Sequence, residues 1–159
     1  MTKALVVIDV QKYFIDENTK KIPQKIADYI KKNKFDQIVF FRFINNKDTP
    51  FYKFCQWKDM MGPPETDFCP EIEKISHKEF SRSIRSCMSE DFRKFLEEKG
   101  VDELFLCGFN TDECVLTTAF DAFDRGFKVS IIEKLCSSHN SKESHKAAMK
   151  VLGGQFEII

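Results

Sequence analysis

Apolar residues in this chain come in two patterns. Short continuous runs, such as Ala4-Leu5-Val6-Val7-Ile8 and Leu104-Phe105-Leu106-Cys107, have the length and evenness of strands covered on both faces. Between them, apolar positions recur every three or four residues. Ile22, Ile26, Ala27 and Ile30 form one such stripe among lysines, leading into the strand Gln37-Ile38-Val39-Phe40-Phe41. Phe92, Phe95 and Leu96 form another, started by Ser89 and ended by Gly100. Val115, Thr118, Ala119, Ala122 and Phe123 mark a third helix, and Phe127 to Ile132 a strand after it. Ser141 to Leu152 reads as a helix stopped by Gly153, and Phe156 to Ile159 closes the chain. A weaker strand candidate lies at Ile72 to Ile75. Strands alternating with helices predict an α/β fold: a doubly wound, three-layer arrangement around a mostly parallel sheet, forming one domain over residues 1–159.

The Leu104–Arg125 stretch places one cysteine where chemistry can be done. Gly108 ends the strand, Thr111 or Asp112 offers an oxygen to cap the next helix, and Cys114 falls in its first turn. Exposed N–H groups and the helix dipole there favour a thiolate and can hold an oxyanion. Two further residues follow strand candidates: Asp9 after the first, and Lys78 after Ile72–Ile75. Ligands of open parallel sheets bind beyond the carboxyl ends of the strands, and all three residues fall at such ends. A thiolate beside a lysine, with a carboxyl group to carry protons, is a set suited to opening an amide through a thioester.

Composition narrows the alternatives. Lys and Arg total 25, as do Asp and Glu, so no broad basic field exists for nucleic acid or an anionic membrane. No apolar run is long enough to span a bilayer and no signal-like segment is present, so a cytoplasmic protein is expected. The six cysteines show no zinc-type or C-x-x-C spacing, which predicts reduced thiols.

Three blocks, in order, carry a resemblance to a known family. They are Leu5-Val6-Val7-Ile8-Asp9-Val10-Gln11, Lys78-Glu79-Phe80-Ser81, and Gly108-Phe109-Asn110-Thr111-Asp112-Glu113-Cys114-Val115 with Thr117-Thr118-Ala119 beyond it. The chain resembles the isochorismatase-like cysteine hydrolases, which include nicotinamidases and carbamoyl-amide hydrolases, from Ala4 to about Ile132. The resemblance implies a strand order of 3-2-1-4-5-6, with Cys114 as nucleophile, Asp9 as acid/base and Lys78 as the cation stabilising the thiolate. It also implies a cis peptide between Phe109 and Asn110, aiming the Asn110 N–H, with that of Cys114, at an oxyanion. Phe14 resembles a residue that packs on a substrate ring.

The irregular region from Asn45 to Pro70 is rich in aromatic residues and should overhang the site, either packing on itself or forming a pocket wall. Phe14, Gln11, Phe43 and Trp57 are the candidate substrate contacts, and Arg42, Arg82 or Arg85 could meet a substrate carboxylate. Nicotinamidases carry an Asp-x-His metal pair just after the second strand, where this chain has Phe43-Ile44-Asn45. Of the three histidines, His77, His139 and His145, none rebuilds such a site, and His145 reads as a helix-surface residue. No metal or other cofactor is therefore expected. The expected activity is metal-independent cleavage of a C–N bond in a small amide or carbamoyl compound, by a homo-oligomer. The alternatives are a catalytically silent relative that binds a metabolite or serves as a scaffold, and a thiol redox sensor.

Overall fold

The computed structural model describes residues 1–139 and 141–159. Six strands form one all-parallel sheet in the order β3-β2-β1-β4-β5-β6. They are β1 (Thr2–Ile8), β2 (Gln37–Phe43), β3 (Lys78–Arg82), β4 (Val101–Gly108), β5 (Lys128–Cys136) and β6 (Glu157–Ile158). The crossovers carry α1 (Ile22–Lys32), the short α2 (Pro50–Phe54) and α3 (Pro70–Glu73), α4 (Glu90–Glu98), α5 (Leu116–Asp124) and α6 (Lys142–Gly153). Among the described residues, no helix is long and apolar enough to cross a membrane.

The central strands are the most apolar. From Ala4 to Ile8 every side chain is buried, as is Leu104 to Cys107, because helices cover both faces. Two helix starts are capped by serines: Ser89, as expected, accepts from the Phe92 N–H, and Ser141 accepts from that of Ser144.

The expected strand at Ile72–Ile75 is instead the helical turn α3. Pro70 occupies a first-turn position, and the Cys69 carbonyl accepts from the amides of Ile72 and Glu73. Ile72 and Ile75 are three residues apart, a helical spacing rather than an alternating one. The true third strand is β3, at the sheet edge with only Arg82 buried, so it carries almost no apolar signal.

Two backbone features bring the carboxyl ends of β1 and β4 together. Asp9 turns the chain with φ +52°, a region that Asp tolerates, and its N–H donates to the Phe41 carbonyl at 3.1 Å. Gly108 has φ +111°, and a Cβ there would lie 2.1 Å from the Ile8 carbonyl oxygen, so only glycine fits. The Phe109 N–H then donates to that same carbonyl at 2.8 Å.

Candidate active site

The peptide between Phe109 and Asn110 is cis. Beyond it the chain makes one π-helical turn, Thr111–Val115, before entering α5. The expected cap by Thr111 or Asp112 is not formed: Asn110 stands at the cap position, and its side chain does not cap the turn. The Thr111 hydroxyl pairs with His145 Nδ1 at 2.8 Å, and the Asp112 carboxylate accepts from Ser138 Oγ at 2.5 Å. His145 therefore ties α6 to the turn instead of facing water, and its partial burial lowers its pKa. The turn is held by the Asn110 carbonyl, which accepts from the Glu113 and Val115 amides at 3.1 Å each, and by the Thr111 N–H donating to Ser137. Cys114, almost fully buried, lies in this turn.

The cation that meets Asp9 is Arg82, not Lys78. Arg82 Nη1 and Nη2 donate to the two Asp9 carboxylate oxygens at 2.5 and 2.9 Å, a bidentate pair with side chains 4% and 0% exposed. Lys78 pairs with Val39 in the sheet register, whereas Arg82 pairs with Phe43. Four residues of strand, about 13 Å at ~3.3 Å each, separate the two positions. The exposed Lys78 side chain has its Nζ 5.6 Å from the Phe80 ring, at the opposite end of β3 from Asp9. The physical reason is the position of the third strand: β3 begins at Lys78, so the residue at its carboxyl end is Arg82.

Burial disfavours the Arg82 guanidinium, but the Asp9 carboxylate beside it more than compensates and holds its pKa above the ordinary value. Cys114 goes the other way from the expected thiolate. Burial raises its pKa well above the ordinary thiol range and the Asp9 carboxylate, as a charge and as an acceptor for the S–H, adds to this, with Arg82 offsetting only part. Burial and the Asp9 charge thus favour the neutral thiol over the thiolate.

Cys114 and Asn110 line a cavity of about 420 Å³. Tyr13, Phe14, Phe43, Phe51 and Trp57 supply its aromatic walls. Phe43 and Trp57 are stacked at 5.7 Å, Phe51 meets both edge-on, and Trp57 Nε1 donates to the Tyr13 hydroxyl at 3.0 Å. The 45–70 region thus does both things expected of it, packing on itself and walling the cavity. Gln11 is not a substrate contact. It is fully buried, Nε2 donates to the carbonyls of Phe43 and Thr66, and Oε1 accepts from the Phe43 N–H, all at 2.9 Å. Gln11 fastens the wall that Phe43 belongs to.

Sequence reasoning missed Tyr13, Cys55, Asp112, Glu113 and His139 as lining residues. Tyr13 adjoins the recognised aromatic position Phe14. His139 had no local signal: its ring lies 5.9 Å from both Tyr13 and Phe14, its Nδ1 3.6 Å from Asp16, and its N–H donates to the Asn110 side chain.

The residues at the end of β2 do not fit a metal ion. Asn45 donates through Nδ2 to the carbonyls of Trp57 and Asp59, and its Oδ1 accepts from Thr49 Oγ1 and the Asn46 N–H. Among the described residues, no group of three or more His, Cys, Asp or Glu is arranged to hold a metal.

Comparison with known proteins places this geometry among relatives. The family model described as "Isochorismatase domain" matches residues 3–159. An uncharacterized isochorismatase family protein from Bacillus subtilis, PncA, is 39% identical over 59 residues, 37% of this chain and 32% of that protein. The pyrazinamidase/nicotinamidase of Streptococcus mutans superposes with a TM-score of 0.87 at 24% identity, covering 99% of this chain and 100% of the other. N-carbamoylsarcosine amidase from Thermoplasma acidophilum gives 0.82 at 20% identity, covering 99% and 95%. At these identities the structural likenesses show the fold.

Proposed function

Since the chain belongs to the isochorismatase family, we propose that it is a metal-independent cysteine hydrolase that cleaves a C–N bond in a small amide or carbamoyl compound. One observation carries this: the charges of the buried bidentate Asp9–Arg82 pair act on the Cys114 thiol, and that cysteine lines an aromatic-walled cavity.

The reaction begins with a neutral thiol. As Cys114 Sγ attacks the carbonyl carbon, its proton passes to the Asp9 carboxylate. The backbone amides of Asn110 and Cys114 receive the oxyanion. Collapse of the tetrahedral intermediate breaks the C–N bond, and Asp9 returns the proton to the departing nitrogen. Water then attacks the thioester while Asp9 takes a proton from it, and the second collapse releases the acid and re-forms the Cys114 thiol. Arg82 stays charged throughout and balances Asp9 whenever the latter is ionised.

A redox sensor would depend on an accessible thiolate, which the burial of Cys114 opposes. The test is ammonia release from a panel of small amides and ureas, with Cys114→Ala as control. Release by wild type and not by the variant supports the reading. No release across the panel, or equal release by the variant, overturns it.

A further inference from the structure

We propose that Arg85 selects the substrate, and that the compound opened by Cys114 carries a carboxylate which the Arg85 guanidinium receives; this deepens the amide-hydrolase reading and rests on it. The structure separates the three arginines that the sequence offers for such a role. Arg42 is occupied: Nε and Nη2 donate to Glu79 at 2.7 and 3.3 Å, and Nη1 to the Thr66 carbonyl at 2.7 Å. Arg82 is engaged, its Nη1 and Nη2 donating to the two oxygens of Asp9. Arg85 alone of the three lines the cavity.

Its side chain is oriented yet underused. The guanidinium carbon lies 4.7 Å from the centre of the Phe51 ring, a cation–π contact that favours this placement. The backbone is anchored on both sides, because the Arg85 carbonyl accepts from Arg82 Nη2 at 3.0 Å and Ser86 Oγ donates to Asp121 at 2.5 Å. A guanidinium has five N–H donors, and its side-chain acceptor among the described residues is Glu113 Oε1 at 3.4 Å, longer than the ~2.7–2.9 Å of a strong charged hydrogen bond. Both partners are nearly half exposed, so Glu113 can turn into water. Glu113 directly precedes Cys114. Both residues line the cavity with Arg85, so a substrate carboxylate in the place of the Glu113 carboxylate would take the planar fork bidentately while sharing that cavity with the sulfur.

Of the two acidic lining groups, Asp112 accepts from Ser138 and Glu113 pairs with Arg85, so each already has a partner. The aromatic walls suit a flat body between the carboxylate and the amide.

Three sets of compounds test this. Terephthalamic acid is compared with benzamide, N-carbamoylphenylglycine with benzylurea, and 4-(aminomethyl)benzamide serves as the cation. Binding to Cys114→Ala protein is followed by the fluorescence of Trp57, the single tryptophan of the chain, which stands in the cavity wall. Turnover is followed in wild type. Each acid should bind at least about tenfold more tightly than its neutral counterpart. Arg85→Gln should erase that preference while leaving benzamide and benzylurea within about twofold, and Arg85→Lys should restore part of it. Equal binding of acid and neutral forms, preference for the cation, an equal loss for both forms in Arg85→Gln, or no binding at all would overturn the role of Arg85. Ammonia release without carboxylate preference would remove Arg85 and keep the hydrolase. Carboxylate-selective binding without release would remove the hydrolase and leave Arg85 as an anion receptor.

Discussion

Arg82 and Asp9, 73 residues apart in the chain, face each other as a bidentate ion pair with almost no exposed surface. Removing one partner of such a pair strands the other charge in the interior. Arg82→Ala should therefore cost roughly 3–5 kcal/mol of stability as well as turnover. Lys78→Ala, at an exposed position at the far end of the same strand, should stay within about 0.5 kcal/mol and keep activity within about twofold. Urea denaturation and amide turnover of both variants decide it. Lost turnover in Lys78→Ala with an intact fold would return the cationic role to that lysine.

The state of the nucleophile has a pH signature. Because burial and Asp9 hold the Cys114 thiol protonated, alkylation by iodoacetamide at pH 7 should label the exposed Cys55 before Cys114. The Cys114 rate should keep rising with pH beyond the ordinary thiol range, and peptide mass spectrometry resolves the two sites. A Cys114 rate that is already at its plateau at pH 7 would show a resting thiolate.

Buried thiols should also make the fold sensitive to alkali. The pKa values of Cys69, Cys87 and Cys136 are raised from 9.0 to about 12, in each case chiefly by burial. Between those values the folded chain keeps protons that the unfolded chain has lost. Their contribution is therefore complete below pH 9 and declines as pH rises toward 12, by about 1.4 kcal/mol per pH unit for each thiol. Urea midpoints at pH 8, 9 and 10 should fall progressively, and less steeply in Cys136→Ala. A flat profile would contradict the assignment.

Gln11→Ala removes a side chain that makes three buried hydrogen bonds to the β2 end and its overlying loop. Leaving those backbone groups unpaired should cost about 2–4 kcal/mol. Because Gln11 holds the wall without touching the cavity, substrate binding should weaken more than the chemical step slows, and a KM-against-kcat comparison tests this split.

Activity should need no added metal. Asn45 is committed to four hydrogen bonds, and Phe43 offers no donor. EDTA should leave amide turnover unchanged, elemental analysis of untagged protein should find no stoichiometric metal, and nicotinamide should be a poor substrate. EDTA-sensitive hydrolysis of nicotinamide by zinc- or iron-loaded protein would refute this.

Much of the fold was legible along the chain because its central strands are buried on both faces. Ala4–Ile8 and Leu104–Cys107 read as apolar runs for that reason, and the stripes of α1 and α4 as one-sided helices. The positions of Asp9, directly after the first run, and of Cys114, in the turn that follows the second, at the carboxyl ends of their strands were legible too. What the tertiary structure alone decided involves groups whose meaning depends on distant neighbours. An edge strand such as Lys78–Arg82 carries no apolar signature, so which of its two basic ends meets Asp9 is set by its register against β2. The protonation of Cys114 depends on how deeply packing buries it and on which charges face it, neither of which is encoded by the residues beside it. Gln11 and His145 read locally as a substrate contact and a surface residue, and became structural ties only when β2 and the π-helical turn were folded against them. Local sequence determines the period of burial, whereas the partner of a charged or hydrogen-bonding group is chosen by chain segments that meet only in the folded state.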